Sequence, residues 1–171
     1  MQSIQTVSEN TIYVGASDRR LAKFENLFPI PRGVSYNAYV ILDEKTALLD
    51  TADASVGAQF LENVAAALDG RKLDYLIVDH MEPDHAAMIE AVLVRWPDLR
   101  LVVNAKTLPM LKMYFPTDSA AIDDALVVKE GDTLDLGKHK LTFVMAPMVH
   151  WPEVMMTFDT TTGTLFSADA F

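Results

Sequence analysis

Hydrophobic and polar positions divide this chain into two textures. Up to about residue 116, short apolar runs alternate with longer segments whose apolar residues return every three or four positions. Beyond that point only the strand-like texture continues. Residues 11–15, 35–42 and 46–50 predict strands, and Asp43-Glu44-Lys45 predicts a hairpin turn between the last two. From about residue 55 to 69, Val56, Phe60, Leu61, Val64 and Leu68 fall on one helical face, and Gly70 stands where a C-terminal cap is wanted. Asp50 and Asp53 read as structural residues capping this helix. A strand over 74–78 precedes a second helix over 86–95, with Ile89, Val92, Leu93 and Trp96 inward and Pro97 as the stop. A strand over 101–103 leads to a helix over 107–114, where Pro109 is tolerated because it sits in the first turn. The remaining strands are predicted at 125–129, 133–136, 140–145, 153–159 and 163–168.

Strands mixed with helices, followed by a β-rich meander, is the order expected of an α+β helix–sheet–sheet–helix sandwich. At 171 residues the chain is sized for one domain. It stops at Phe171 directly after a strand and a turn residue, with no closing helix. The expectation is therefore the N-terminal portion of a sandwich incomplete at its C-terminus, with apolar surface uncovered on the β-rich half.

Composition narrows the chemistry. Half the residues are hydrophobic, enough for a real core. The net charge is −10, and Arg19-Arg20 and Arg71-Lys72 are isolated basic pairs, so nucleic acid is not an expected partner. The absence of cysteine removes disulfides, thiolate metal sites, iron–sulfur clusters and thiol catalysis, and agrees with a reducing cytoplasm, the expected location. No signal-peptide pattern opens the chain, and no apolar segment approaches the ~20 residues needed to span a membrane.

The densest chemistry lies in Asp79-His80-Met81-Glu82-Pro83-Asp84-His85, directly after the apolar Tyr75-Leu76-Ile77-Val78. His80, Glu82, Asp84 and His85 are sound ligands for a divalent first-row metal, and four in so short a run suggest two metals sharing the cluster. Only His139 and His150 remain as histidines. His150 follows an apolar run, as His80 does, and Asp169 follows the last predicted strand, so three strand ends are expected to converge on one edge. Glu82, Asp84 and Asp169 bring three negative charges; two divalent ions with one bridging hydroxide would neutralise them. Without metals, each desolvated unpaired carboxylate would cost on the order of several kcal/mol. The residues leave open whether Glu82 binds or only supports, whether Asp84 binds or orients His85, and whether His85 faces the metal. His139, between Lys138 and Lys140, reads as a solvated turn residue, and Met145, Met148, Met155 and Met156 as core filler.

His80-x-Glu82-x-Asp84-His85, then His150, then Asp169 after eighteen intervening residues, resembles the ligand pattern of flavodiiron proteins, also called A-type flavoproteins. Gly33-Val34-Ser35-Tyr36-Asn37-Ala38-Tyr39-Val40, Thr46-Ala47-Leu48-Leu49-Asp50-Thr51, His150-Trp151-Pro152 and Phe166-Ser167-Ala168-Asp169-Ala170-Phe171 are similar to that family as well. The resemblance implies a metallo-β-lactamase-like domain over residues 1–171. By position, His80, Glu82 and His150 would bind one iron, Asp84 and His85 the other, and Asp169 would bridge them. A further histidine and a flavodoxin-like FMN domain would lie beyond Phe171, leaving this stretch alone incomplete and inactive. The family's activity is reduction of O2 to water or of NO to N2O with electrons from FMN. A rubredoxin-like or flavin-reductase donor supplies them, in a head-to-tail homodimer that sets one subunit's FMN beside the other's irons. Trp151 would either face that flavin or pack over the site. The wider β-lactamase-like superfamily carries His where Glu82 stands, usually to hold zinc for hydrolysis; a carboxylate hardens the site and favours iron. The alternatives are a metal-dependent hydrolase of that superfamily and a folded piece that cannot hold both metals.

Overall fold

The computed structural model describes residues 3–24, 26–116 and 119–171. In chain order the strands are β1 (Gln5–Ser8), β2 (Thr11–Tyr13), β3 (Ala16–Asp18), β4 (Lys23–Phe24), β5 (Phe28–Pro29), β6 (Val34–Tyr36), β7 (Tyr39–Leu42) and β8 (Thr46–Leu49). A 3-10 turn (Ala54–Val56) runs into α1 (Gly57–Leu68), followed by β9 (Tyr75–Ile77), α2 (Pro83–Ala86), α3 (Ile89–Arg95), β10 (Arg100–Asn104), α4 (Thr107–Tyr114) and α5 (Ser119–Asp123). The chain ends in β11 (Leu126–Val128), β12 (Thr133–Asp135), β13 (Lys140–Met145), β14 (Met155–Asp159) and β15 (Thr164–Phe166).

Period-two alternation builds the layers. In β7, β8, β9 and β10, residues Val40, Leu48, Leu76, Leu101 and Val103 point into one apolar cluster, while Ile41, Ala47, Leu49, Ile77 and Val102 point into another. These strands lie in a seven-stranded sheet ordered β1-β2-β7-β8-β9-β10-β11, antiparallel on one side and parallel from β8 onward. Both faces of its centre are buried, as a parallel sheet requires. One cluster packs under the helices through Phe60 and Val64 of α1, Ile89 and Val92 of α3, Leu111 of α4 and Ile122 of α5. The other packs against a four-stranded antiparallel meander, β12-β13-β14-β15, through Leu141, Phe143, Met155 and Phe166. The outer face of that meander carries Val144 paired with Met156, and Phe158 paired with Leu165. Leu165 is exposed and the other three are half-buried, so among the described residues no helix covers this face. The expected helix, sheet, sheet order is present, and so is the apolar surface predicted beyond it.

Four departures from the sequence-based expectation have local causes. The strand expected over 35–42 breaks at Asn37: Val34–Tyr36 pairs with β3 in a separate ribbon, while Tyr39–Leu42 enters the main sheet. The helix expected over 86–95 is split, because the backbone N–H and hydroxyl of Thr51 both donate to the His85 carbonyl (2.8 and 2.7 Å), which is therefore diverted from the helical ladder. The short helix Ser119–Asp123 and the strands Gln5–Ser8, Ala16–Asp18, Lys23–Phe24 and Phe28–Pro29 lack a periodic apolar signal long enough to read. His139 is not solvated: it is buried, and its Nδ1 lies 2.7 Å from Asp159. Asp53 does cap, accepting the Ser55 N–H at the start of the 3-10 turn, and Asp69 with Gly70, both at positive φ, ends α1.

Candidate metal centre

Strand direction places the ligands. β8 and β9 are parallel neighbours, and β13 and β15 both run antiparallel to β14, so they point the same way. Asp50 follows β8; His80 and Glu82 follow β9; His150 lies in the loop after β13; Asp169 lies after β15. Asp84 and His85 ride on α2, whose first residue is Pro83, suited by its fixed φ to open a helix. The edge where these ends meet holds all six residues that sequence reasoning selected.

Two groups of ligand atoms form there, each with its atoms within 4.8 Å of one another: His80, Glu82, His150 and Asp169, and Asp84, His85 and Asp169. Asp169 belongs to both. In the first group, the Nε2 atoms of His80 and His150 approach one Glu82 oxygen at 3.1 and 2.8 Å and lie 3.4 Å from each other. In the second, His85 Nε2 lies 2.9 Å from Asp169 Oδ1 and 3.8 Å from Asp84. His150 Nε2 is 3.6 Å from the other Asp169 oxygen, so the two carboxylate oxygens face different groups.

Two carboxylates that sequence reasoning assigned no place in the site hold the imidazoles. Glu153 Oε1 lies 2.8 Å from His80 Nδ1 and accepts the Met81 N–H at 3.0 Å. Asp50 Oδ2 lies 3.0 Å from His85 Nδ1, and Asp50 Oδ1 accepts the Asp79 N–H at 2.7 Å. Asp50, at positive φ, is thus a support for His85 and for the metal loop, not a helix cap. With each Nδ1 turned outward to its carboxylate, Nε2 is the nitrogen that faces the cluster and would bind a metal on losing any proton it holds, the carboxylate–histidine arrangement of metal sites. The signal that could have found Asp50 was its place at a strand end, the same logic applied to His80 and Asp169. Trp151 packs edge-on against the His80 ring at 5.3 Å, so it covers the site.

The acid groups outnumber what the protein itself satisfies. Asp84 Oδ1 is buried without a hydrogen-bond partner. Burial, reinforced by the charges of Asp169 and Glu82 and opposed by His85, pushes the Asp84 carboxyl up to about 6. Burial disfavours charge on His85, but its bonds to Asp169 and Asp50 prevail and push it up to about 11. The His85 hydrogen bond holds Asp169 below the usual carboxylate range. Asp79, fully buried and beside Asp50, is raised by burial and by that neighbouring charge. The protein thus holds protons where cations would otherwise balance the acids, a donor set that fits two divalent metals. Within the first group, His80, His150 and Glu82 match the two-histidine, one-carboxylate ligand set of non-haem iron, with Asp169 shared with the second group.

Two cavities flank the cluster. One of about 350 Å3 lies between the β4–β5 hairpin and the metal loop, lined by Leu21, Lys23, Phe24, Tyr36, Glu82 and Asp84 among others. The other, about 180 Å3, lies beside Asp50, Asp79 and His85 under Phe166, Ala168 and Phe171. No helix in the described residues is long and apolar enough to cross a membrane.

Residues 34–171 match the family described as ODP family beta lactamase. The chain is 36% identical over 167 residues to an anaerobic nitric oxide reductase flavorubredoxin of Klebsiella pneumoniae, covering 96% of this chain and 34% of that protein. It is 36% identical over 167 residues to a nitric oxide reductase of Moorella thermoacetica, covering 96% of this chain and 41% of that one. Its fold superposes on rubredoxin:oxygen oxidoreductase from Desulfovibrio gigas with a TM-score of 0.88 at 31% identity, over 95% of this chain and 40% of the other. The chain therefore spans between about a third and two-fifths of the length of these relatives.

Proposed function

We propose a function from one premise: this chain belongs to the ODP family of beta-lactamase-like domains. It is the diiron domain of a flavodiiron oxidoreductase that reduces O2 to water, NO to N2O, or both. The observation that carries this reading is Asp169, shared between a two-histidine, one-carboxylate group and the Asp84–His85 group. A bridging carboxylate between two such groups suits a dinuclear centre. His80, Glu82 and His150 would hold one iron and Asp84 and His85 the other. The cavity beside His85 leaves room for one more ligand from outside residues 1–171.

Two ferrous ions bound there would supply reducing electrons and open coordination positions. The rest is the work of this chain's own side chains. Asp50 and Glu153 fix the two buried imidazoles so that their Nε2 atoms do not reorient. Trp151 covers His80 and keeps water from that face. Met148 and Val149, beside the half-open His150, form an exposed apolar lip. That lip suits contact with the FMN domain of a second subunit in a head-to-tail homodimer, fed by a rubredoxin-like or flavin-reductase donor in the cytoplasm. Hydrolysis at a zinc site is the weaker reading, because Glu82 stands where that chemistry uses His, and the matched relatives carry oxidoreductase names.

Anaerobic NO consumption and aerobic O2 consumption, driven by a reduced flavin donor, test the proposal. One or both are expected of the iron-loaded full-length protein, and Glu82→His is expected to remove them. Turnover that survives Glu82→His, or ester hydrolysis by a zinc-loaded protein with no gas reduction, sinks the reading.

A further inference from the structure

Tyr36 is placed with unusual firmness for a residue with no partner for its own hydroxyl. Its backbone is fixed: the Tyr36 carbonyl accepts the Tyr13 hydroxyl at 3.1 Å, and Gly15 packs so close that a Cβ there would lie 1.9 Å from that same oxygen. The side chain is buried and forms a wall of the cavity between the β4–β5 hairpin and the metal loop. Its hydroxyl makes no hydrogen bond. A buried polar group left unsatisfied is unfavourable, and one that persists calls for an explanation.

A second unsatisfied atom lines the same cavity. Asp84 Oδ1 and Tyr36 Oη are both buried without partners, and both side chains face this space with Glu82. Glu82, Asp84 and Asp53, when ionised, only accept hydrogen bonds. The cavity's other side-chain donors, Lys23, Asn26 and Ser55, are exposed. Tyr36 is therefore the one buried side-chain donor on this wall among the described residues. Burial, with the charges of Asp53, Asp18 and Asp84 and against the nearby Ser55 hydroxyl, raises its pKa above the ordinary 10, so the phenol keeps its proton at neutral pH.

We propose that Tyr36 donates a hydrogen bond to the small ligand held at the Asp84 side of the metal centre, and that the cavity lined by Lys23 and Phe24 of β4 with Tyr36, Glu82 and Asp84 is where that ligand sits. The inference rests on the diiron reading above. Oxygen atoms of a diatomic gas gain negative charge as it is reduced, and a fixed neutral donor stabilises that charge without reorganising. Tyr36 would be a catalytic residue in the sense that it touches substrate; it is not a metal ligand.

The probe is azide, titrated into the iron-loaded protein and followed by absorbance, with metal content and the unfolding midpoint measured alongside. Tyr36→Phe keeps the ring and removes only the hydroxyl. It is expected to bind azide about tenfold more weakly, the loss of one hydrogen bond to a charged acceptor, with unchanged iron content and an unfolding midpoint no lower than wild type. A second variant, Leu21→Trp, takes up space in the cavity that Leu21 also lines and is expected to weaken azide similarly. Wild-type azide affinity in both variants overturns the role of Tyr36 while leaving the diiron reading intact. A wild-type protein that takes up no iron fails the diiron reading itself.

Discussion

The two edges of this sandwich each bury a histidine against a carboxylate, and only one of them gathers a candidate set of metal ligands among the described residues. At the closed edge, His139 Nδ1 lies 2.7 Å from Asp159 Oδ2, which also accepts the Thr162 hydroxyl, while Asp159 Oδ1 accepts the Thr161 N–H. Asp43 accepts the His139 and Glu44 N–H groups, and the Leu136 carbonyl accepts from Lys45, so the turn β7–β8 is pinned to the turn β12–β13. Every carboxylate oxygen in this knot has a donor. At the open edge, Glu82, Asp84 and Asp169 meet His80, His85 and His150, and acceptors outnumber donors to the point that Asp84 Oδ1 has none. A buried histidine–carboxylate pair is thus no sign of a metal site. A surplus of acceptors converging from several strand ends is.

Mutation should separate the edges, and the largest effect on stability is expected at the closed one. Asp159→Ala strands His139 in the core and is expected to lower unfolding free energy by about 3–5 kcal/mol, the penalty for breaking a buried pair. Chemical denaturation measures this. Metal bound per folded chain should not change. A loss of metal with little loss of stability would erase the distinction.

The open edge should respond in the opposite sense. Asp50→Asn and Glu153→Gln keep shape but remove the charge that orients His85 and His80. Each is expected to weaken metal binding by about 10–100-fold, read by competition with a chelating dye, and to move the metal-free unfolding midpoint less than Asp159→Ala does. Unchanged affinity in both would mean the imidazoles need no support.

Much of this contrast was legible in the sequence, and the part that was not has a physical reason. That the six candidate ligands converge could be read because they occupy a short motif or directly follow apolar runs, and strand ends gather at one edge. Asp50 also ends a strand, but a lone aspartate before a helix looks like a cap, and only the tertiary contact to His85 distinguishes the roles. Glu153 was hidden inside an expected strand; the strand starts later, at Met155, leaving Glu153 free to turn inward. His139, flanked by lysines in a turn, carries no local mark of burial, because what buries it is Asp43, distant in sequence. The layers followed from period-two alternation, whereas the two-residue strands β4 and β5 are too short to show any period.

Protons sharpen the comparison further. In the metal-free protein, His85 at about 11, against an ordinary 6.5, stabilises the fold fully below pH 6.5 and loses that contribution as pH rises through about 11. Asp84 at about 6, against 3.8, acts in the same direction: its contribution is present below pH 3.8 and lost as pH rises through about 6. Metal competes with these protons. The gain in unfolding midpoint on adding metal is therefore expected to grow as pH is raised from 5 to 8; a gain that shrinks would contradict the account.

The smallest effect is expected away from both edges. Asp18, held at about 2 by its hydrogen bonds to Arg20, contributes stability above pH 3.8 that is lost as pH falls through about 2. Arg20 is 77% exposed, so solvent screens the pair. Asp18→Asn should move the neutral-pH unfolding midpoint only slightly and leave metal binding untouched, which makes it the control for both edges.

The central claim, that the open edge joins two metals through one carboxylate, is tested most directly by metal stoichiometry. Protein loaded with iron anaerobically, and its Asp169→Asn variant loaded alongside, would be analysed for iron per chain. The account predicts about two irons in the wild type and a loss from both groups in the variant, because Asp169 belongs to each. Equal iron in the two proteins, or a wild type that holds one ion whether or not Asp169 is present, would contradict it.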